Sequence, residues 1–354
     1  MAKNIVISGD TLTGKTMVAI AIAGKLRTMG KKVGYFKPAG TKSYHHSTPE
    51  VDVDEDAAVM KELLKMDEPL ATICPIVRAK TSYDELLKVG ADKLKERVLS
   101  SHAKISEGKD YVLVEGTKAP WHLLHVSLST PQIAAELDAS VFCLVNFPDI
   151  TAIDDALMQS ELFSNAGVED IGIVLTQAPP MLRKAISESI GPYLVSEGMK
   201  YCGTIYHNRE LFSPTIREIH RALDGEMVLG ESKMDVPIDQ FMVGSMAPEN
   251  ALKWFRRAKD MAVITSGDRA DICQAALETD TNLLVLTGGL GPDIGTLTRA
   301  RELDVPIMTT AHDTYRTSQI VDDLIGTVSA DNPEKLLTVE RIVGDALDFS
   351  CMGL

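Results

Sequence analysis

The sequence predicts an α/β chain, with a doubly wound, mostly parallel sheet followed by a smaller α/β domain. Three observations carry this. Short apolar runs alternate with longer helical patterns along most of the chain, the rhythm of parallel strands covered on both faces. Gly9-Asp10-Thr11-Leu12-Thr13-Gly14-Lys15-Thr16 fits the phosphate-loop pattern G-x-x-x-x-G-K-[ST] without a mismatch. The alternation stops at a polar stretch with two glycines and then restarts.

The first strand is Asn4-Ile5-Val6-Ile7-Ser8, and the apolar run 17–23 suits a buried helix. Strand, Gly-rich loop and helix start make an anion cradle. Backbone N–H groups of residues 10–16 would wrap a phosphate, Lys15 would reach the terminal phosphates, and the Thr16 hydroxyl would ligate Mg²⁺. A second strand is read at 32–36, helices at 54–65 and 82–107, and an apolar strand at 111–114. Further strands are read at 141–145, 171–175 and 201–205. The stretch 224–235 is polar and holds Gly225 and Gly230. The boundary is therefore placed near 212–235, with domains at 1–215 and 236–354. Strands resume at 241–243, 261–265, 283–287 and 306–309.

The composition narrows the function classes. The 354 residues include 36 Lys plus Arg and 50 Asp plus Glu, a net charge of −14. So acidic a chain has no general attraction for nucleic acid or anionic membrane. The start Ile5-Val6-Ile7 is too short for a signal peptide, and no apolar run approaches a membrane span. A cytoplasmic protein is expected. Cys74, Cys143, Cys202, Cys273 and Cys351 are widely spaced and form no C-x-x-C pair, so they read as reduced thiols and not as a zinc site.

The chemistry is expected at strand ends, where open α/β sheets hold ligands. Lys37, before Pro38, would point into the phosphate crevice. Glu115, at the end of its strand, could hold Mg²⁺ directly or through water, or act as a helix N-cap. Asp52, Asp54, Glu55 and Asp56 form an acidic cluster that could supply another metal ligand or only cap a helix. His45 and His46 read as a polar loop, since a third spaced ligand is missing.

Asp10-Thr11, Lys37-Pro38, Val114-Glu115-Gly116 and the segment 172–179 resemble dethiobiotin synthetase and its relatives, which include enzymes that amidate cobyrinic acid. The resemblance implies a P-loop NTPase fold with ATP and Mg²⁺. It implies catalytic roles on phosphate or substrate for Lys15 and Lys37, and a metal held by Thr16, Glu115 and an acid from Asp54 or Asp56. Nucleotide contacts would come from Gly9, Asp10, Thr11, Leu12, Thr13, Gly14, Lys15 and Thr16. Thr176 joins them, because Thr176-Gln177 stands where relatives often have an adenine-reading Asn.

The second half resembles phosphotransacetylase segments at 243–252, 263–271 and 286–290. Asp268-Arg269 with Thr287-Gly288-Gly289 is the signature of the DRTGG domain. The order of the two parts is that of the N-terminal half of long phosphotransacetylases. Since the sequence ends at Leu354, a stand-alone protein without the transacetylase catalytic domain is expected. Asp268, Arg269, Thr287, Gly288 and Gly289 are the candidate second-ligand site. Thr-Gly-Gly could cradle an anion or nucleotide, or serve backbone geometry alone, and Asp268-Arg269 could be a helix-start ion pair.

Thr117-Lys118-Ala119-Pro120 replaces the synthetase glycines after Gly116. Two functions are therefore expected. One is an ATP-binding regulatory or sensor protein whose second domain takes a small metabolite and which acts on a partner enzyme of acetyl metabolism. The other is a stand-alone ATP-dependent ligase acting on a small carboxylate. A two-fold homo-oligomer is the commonest expectation for such chains.

Overall fold

The structure is a computed structural model and describes residues 2–41, 53–78, 83–328 and 332–354. The candidate residues His45, His46 and Asp52 lie outside the described residues. Two compact units divide the chain: Met1–Asn208 together with Val328–Leu354, and Arg209–Thr327.

The described strands of the first unit are β1 (Lys3–Gly9), β2 (Val33–Phe36), β3 (Ala39–Thr41), β4 (Ile76–Arg78), β5 (Tyr111–Glu115), β6 (Ser140–Asn146), β7 (Ile171–Ala178) and β8 (Lys200–Tyr206). Six of them form a sheet in the order β2-β5-β1-β6-β7-β8. Every pairing in it is parallel. β3 and β4 make a separate parallel pair. Ile5, Val6 and Ile7 of β1 are buried, as a strand covered on both faces requires. The helix α1 (Lys15–Thr28) follows β1 after the Gly-rich loop and is buried along most of its length. That is why its sequence is apolar all round and shows no polar face. Helix α2 (Glu55–Leu64) starts at Asp54, whose carboxylate accepts the Ala57 N–H at 3.0 Å.

The second unit is a five-stranded sheet of β9 (Glu226–Leu229), β10 (Gln240–Val243), β11 (Met261–Ser266), β12 (Thr281–Thr287) and β13 (Ile307–Thr309), in the order β10-β11-β12-β13-β9. β10 to β13 are parallel and β9 is antiparallel at the edge. Leu284 and Leu286 face a cluster with Phe255 and Ile272. Leu283 and Val285 face another with Ile216, Ile219 and Val321. Burial of both strand faces explains the continuous apolar run of β12. No described helix is long and apolar enough to cross a membrane.

Three expectations are revised. First, the units differ from domains at 1–215 and 236–354. The segment from Ile216 to Leu223 gives its apolar face to the core of the second unit, and the final segment returns to the first unit, where helix Pro333–Ala346 packs on α1. Second, the polar stretch 224–235 is not a bare linker, because β9 within it pairs with β13. Third, not all the thiols are reduced. Cys202 of β8 is bonded to Cys351 across 149 residues, with Cα atoms 5.6 Å apart. Cys74, Cys143 and Cys273 are free and buried. The Asp348 N–H donates to the Cys202 carbonyl at 2.9 Å, and Gly203 and Leu347 form an antiparallel bridge.

Cys351→Ala should lower the unfolding free energy of the oxidised protein by about 2–4 kcal/mol, as loss of a native disulfide does. Urea titrations of oxidised wild type, reduced wild type and the variant measure this. Identical midpoints for all three would mean that the bond adds nothing to the fold.

Candidate functional site

The phosphate loop joins the carboxyl end of β1 to α1. Gly9 is required at its start, because a Cβ there would stand 2.6 Å from Thr13 Oγ1 and 2.7 Å from the Leu144 carbonyl oxygen. Leu12 takes a left-handed conformation, with φ of 62°. The Thr13 hydroxyl donates to the Asp10 carbonyl at 2.8 Å, and the Thr11 hydroxyl reaches the Lys118 carbonyl at 3.4 Å. Lys15 Nζ arches back over the loop and donates to the carbonyls of Gly9 (3.1 Å) and Asp10 (2.7 Å). Burial pushes the Lys15 ammonium down to about 8, against the opposing pull of Glu115. Burial also raises the Asp10 carboxyl, with Lys15 opposing.

Beside the loop lies a buried charge cluster. Thr16 Oγ1 is 3.3 Å from Glu115 Oε1, to which it donates. Lys37 Nζ stands 3.2 Å from that same oxygen and 3.1 Å from Asp54 Oδ1, and it also pairs with Asp56 Oδ2. The Tyr35 hydroxyl donates to Glu115 Oε2 at 2.9 Å. Burial raises Glu115 to about 7 although Lys37 opposes it. Burial works against the Lys37 charge, yet the three carboxylates hold its ammonium well above the ordinary lysine value.

The structure thus brings together Lys15, Thr16, Lys37, Asp54, Asp56 and Glu115. Among the described residues, however, no group of three or more His, Cys, Asp or Glu side chains is arranged to hold a metal. The predicted carboxylate ligands converge instead on the Lys37 ammonium. Their chemistry still fits Mg²⁺. Adjacent oxygens in an octahedral Mg²⁺ shell stand about 3.0 Å apart, close to the separation of Thr16 Oγ1 and Glu115 Oε1. Asp54 realises the capping reading of the acidic cluster and also pairs with Lys37.

Thr176 is not turned toward the loop. It is fully buried and its hydroxyl reaches the Val145 carbonyl at 3.4 Å. Its neighbour Gln177, with φ of 53°, turns out of the strand and donates through Nε2 to the Leu12 carbonyl. Gln177 and Tyr35 are the site residues that sequence reasoning missed. The signal for Tyr35 was available, because positions 35 and 37 share one face of an extended chain.

In the second unit, Asp268-Arg269 follows β11, and Thr287 ends β12 with Gly288-Gly289 after it, at adjoining strand ends. Gly288 and Gly289 have φ of 80° and 68°. Their N–H groups donate to the His312 and Thr310 carbonyls, both at 2.8 Å, so these two donors are already engaged. The Thr287 hydroxyl reaches the Thr265 carbonyl at 3.3 Å and lies 2.8 Å from that of Thr314. Arg269 pairs with Asp271 at 2.9 Å and donates to the Met246 carbonyl at 3.1 Å. Arg269 thus pairs with Asp271 and not with Asp268, the partner that the helix-start reading expected. The Thr-Gly-Gly element ties loops together, and the side chain of Arg269 is a partly exposed cation at this edge.

Lys15→Ala should weaken Mg·ATP binding at least tenfold, about 1.4 kcal/mol. Wild-type affinity should fall as pH rises through about 8, because ATP favours the charged lysine and the free lysine loses its proton there. The variant should show no such fall. Calorimetric titrations between pH 7 and pH 9.5 measure both effects, and equal binding by the two proteins would refute the cradle.

A model described as "AAA domain" matches residues 3–213, and one described as "DRTGG domain" matches residues 218–324. The chain is 24% identical to phosphate acetyltransferase of Nitratidesulfovibrio vulgaris over 374 aligned positions, covering all of this chain and 51% of the relative. It therefore spans about half the length of that relative, matching the N-terminal half. It is 27% identical over 184 positions to the ATP-dependent dethiobiotin synthetase of Methanocaldococcus jannaschii, covering 48% of this chain and 78% of the relative. Among solved structures, the CBS and DRTGG domains of the regulatory region of Clostridium perfringens pyrophosphatase, complexed with diadenosine tetraphosphate, align over 31% of this chain and 49% of that one. The identity is 27% and the TM-score 0.27. The chain belongs to the AAA domain family in its dethiobiotin synthetase-like form, and joins that P-loop domain to a DRTGG domain.

Proposed function

We propose that the first unit binds ATP with Mg²⁺, that the second binds a small ligand, and that the chain regulates a partner enzyme of acetyl metabolism. The observation that carries the first part is the meeting of Lys15, Thr16 and Glu115 at the carboxyl ends of β1 and β5. Lys15 would meet the terminal phosphates, and Thr16 and Glu115 would hold the metal, which would neutralise phosphate charge when bound. Likeness to phosphate acetyltransferase supports the choice of partner. The cytoplasm, where ATP is abundant, is the proposed compartment, and a two-fold homo-oligomer the proposed assembly.

The sensor reading draws on the segment after Glu115. The Thr117 hydroxyl donates to the Ala119 carbonyl at 2.8 Å, and the Thr117 N–H donates to the Thr130 hydroxyl at 3.3 Å. This segment satisfies itself and offers no glycine-rich cradle for a phosphoryl acceptor. Phosphoryl transfer needs an acceptor held in line. The second reading is an ATP-dependent ligase acting on a small carboxylate, favoured by the synthetase-like first unit and by Lys37 beside the phosphate loop.

Glu115→Gln keeps the size of the side chain and removes its charge. In the variant, apparent ATP affinity should depend little on Mg²⁺ concentration, whereas in wild type it should rise steeply. An unchanged Mg²⁺ dependence would leave Glu115 as a partner of Lys37 alone.

The sensor should bind ATP and hydrolyse it slowly, well under one turnover per second, below the ordinary range for enzymes. A ligand of the second unit should change ATP affinity, and ATP should change the affinity of that ligand by the same factor. Acetyl phosphate, acyl-CoA, adenine mononucleotides and diadenosine tetraphosphate are the probes for the full chain. Brisk ATP consumption stimulated by one small carboxylate, with no response to these probes, would establish the ligase instead.

A further inference from the structure

The Lys37 side chain is 8% exposed, and those of Asp54 and Glu115 are 2% exposed. Two buried carboxylates, with Asp56 at the 30% exposed edge, thus surround one ammonium. Buried carboxylates that face one another must either take up protons or be offset by a nearby cation, and here the Lys37 ammonium supplies that charge. The ammonium and the Thr16 hydroxyl meet at the same atom, Glu115 Oε1. A divalent cation held by Thr16 and Glu115 would stand where Lys37 makes its contact. The two cations compete for one oxygen.

We propose that Lys37 is a built-in placeholder for the divalent cation. It neutralises the carboxylates before the metal arrives and yields Glu115 Oε1 when metal and nucleotide bind together. This rests on the Mg·ATP reading of the first unit. The released ammonium needs a new anionic partner, which the phosphate chain supplies across the crevice. Metal alone cannot displace Lys37 without stranding a buried ammonium. Nucleotide alone leaves Lys37 among the carboxylates, unable to serve the phosphates. Metal and nucleotide affinities are therefore coupled through this side chain, and the coupling is reciprocal. Tyr35 keeps Glu115 in place during the exchange by holding its other oxygen, Oε2.

The test uses Mn²⁺ in place of Mg²⁺ and follows the electron paramagnetic resonance signal of free Mn²⁺. Without nucleotide, Lys37→Met should bind Mn²⁺ at least tenfold more tightly than wild type, because the competitor is gone and the carboxylates remain. Adding the non-hydrolysable analogue AMPPNP should tighten Mn²⁺ binding in wild type by a factor at least ten times larger than in Lys37→Met. Equal or weaker Mn²⁺ binding by the variant without nucleotide overturns the proposal. A variant that folds only when Mn²⁺ is present supports it.

If the variant folds in neither condition, nitrogen-15 spectra of the lysine ammonium groups in the wild-type chain decide. The buried Lys37 signal should hold still with Mg²⁺ alone and move with Mg²⁺ and AMPPNP together. A shift with Mg²⁺ alone, or none with both when AMPPNP is bound, overturns the proposal. Failure of AMPPNP to bind at all refutes the parent reading, and the nucleotide-free Mn²⁺ comparison still judges Lys37.

Discussion

The position of β1 between β5 and β6 sets the place of each functional side chain in the first unit. Ile7 is level with Glu115 on one side and with Phe142 on the other. β2 continues the row, since Phe36 is level with Val114 and is followed at once by Lys37, whose ammonium reaches Glu115. The parallel register therefore delivers the loop start at Gly9, the carboxylate of Glu115 and the ammonium of Lys37 to one edge of the sheet. That edge is the carboxyl end of the strands, where doubly wound sheets hold ligands. A one-residue slip of β5 would turn Glu115 to the opposite face and leave Lys37 without one of its partners.

Elements that depend on local pattern were legible in the sequence. The apolar runs at 4–8, 111–114, 141–145 and 283–287 are strands, because a strand buried on both faces must be continuously apolar. The phosphate loop was legible because its backbone geometry admits few sequences, as Gly9 shows. The elements that were missed depend on distant partners. β9 exists because β13 offers it an edge, and helix Pro333–Ala346 belongs to the first unit because α1 presents an apolar surface to it. Nothing local to Cys351 says that it meets Cys202. The site divides in the same way. Lys15, Thr16, Lys37 and Glu115 were marked as candidates through motif and strand end, and the fold gathers them. Gln177 escaped because its reach to Leu12 depends on a single left-handed residue, and Thr176 was placed with the nucleotide although its hydroxyl stays within the sheet.

The two units treat similar Gly-rich turns differently. In the first, the loop spends carbonyls on Lys15 and the Thr13 hydroxyl. In the second, Gly288 and Gly289 spend their N–H groups on the His312 and Thr310 carbonyls. An element whose donors are committed positions its neighbours, and a ligand there would have to be met by side chains such as Arg269. Similar sequence signals at strand ends thus serve different physical tasks, and only the destination of each N–H tells them apart.

The disulfide also decides how the chain carries tension. The second unit lies wholly between residues 202 and 351. With the bond closed, a pull applied at residues 1 and 354 passes from β8 through two sulfur atoms to the last turn of chain, and the covalent path never enters 209–327. With the bond open, the same pull must peel helix Pro333–Ala346 from α1 and then load the second unit in series. The oxidation state of one sulfur pair therefore sets whether the DRTGG domain is mechanically shielded or exposed.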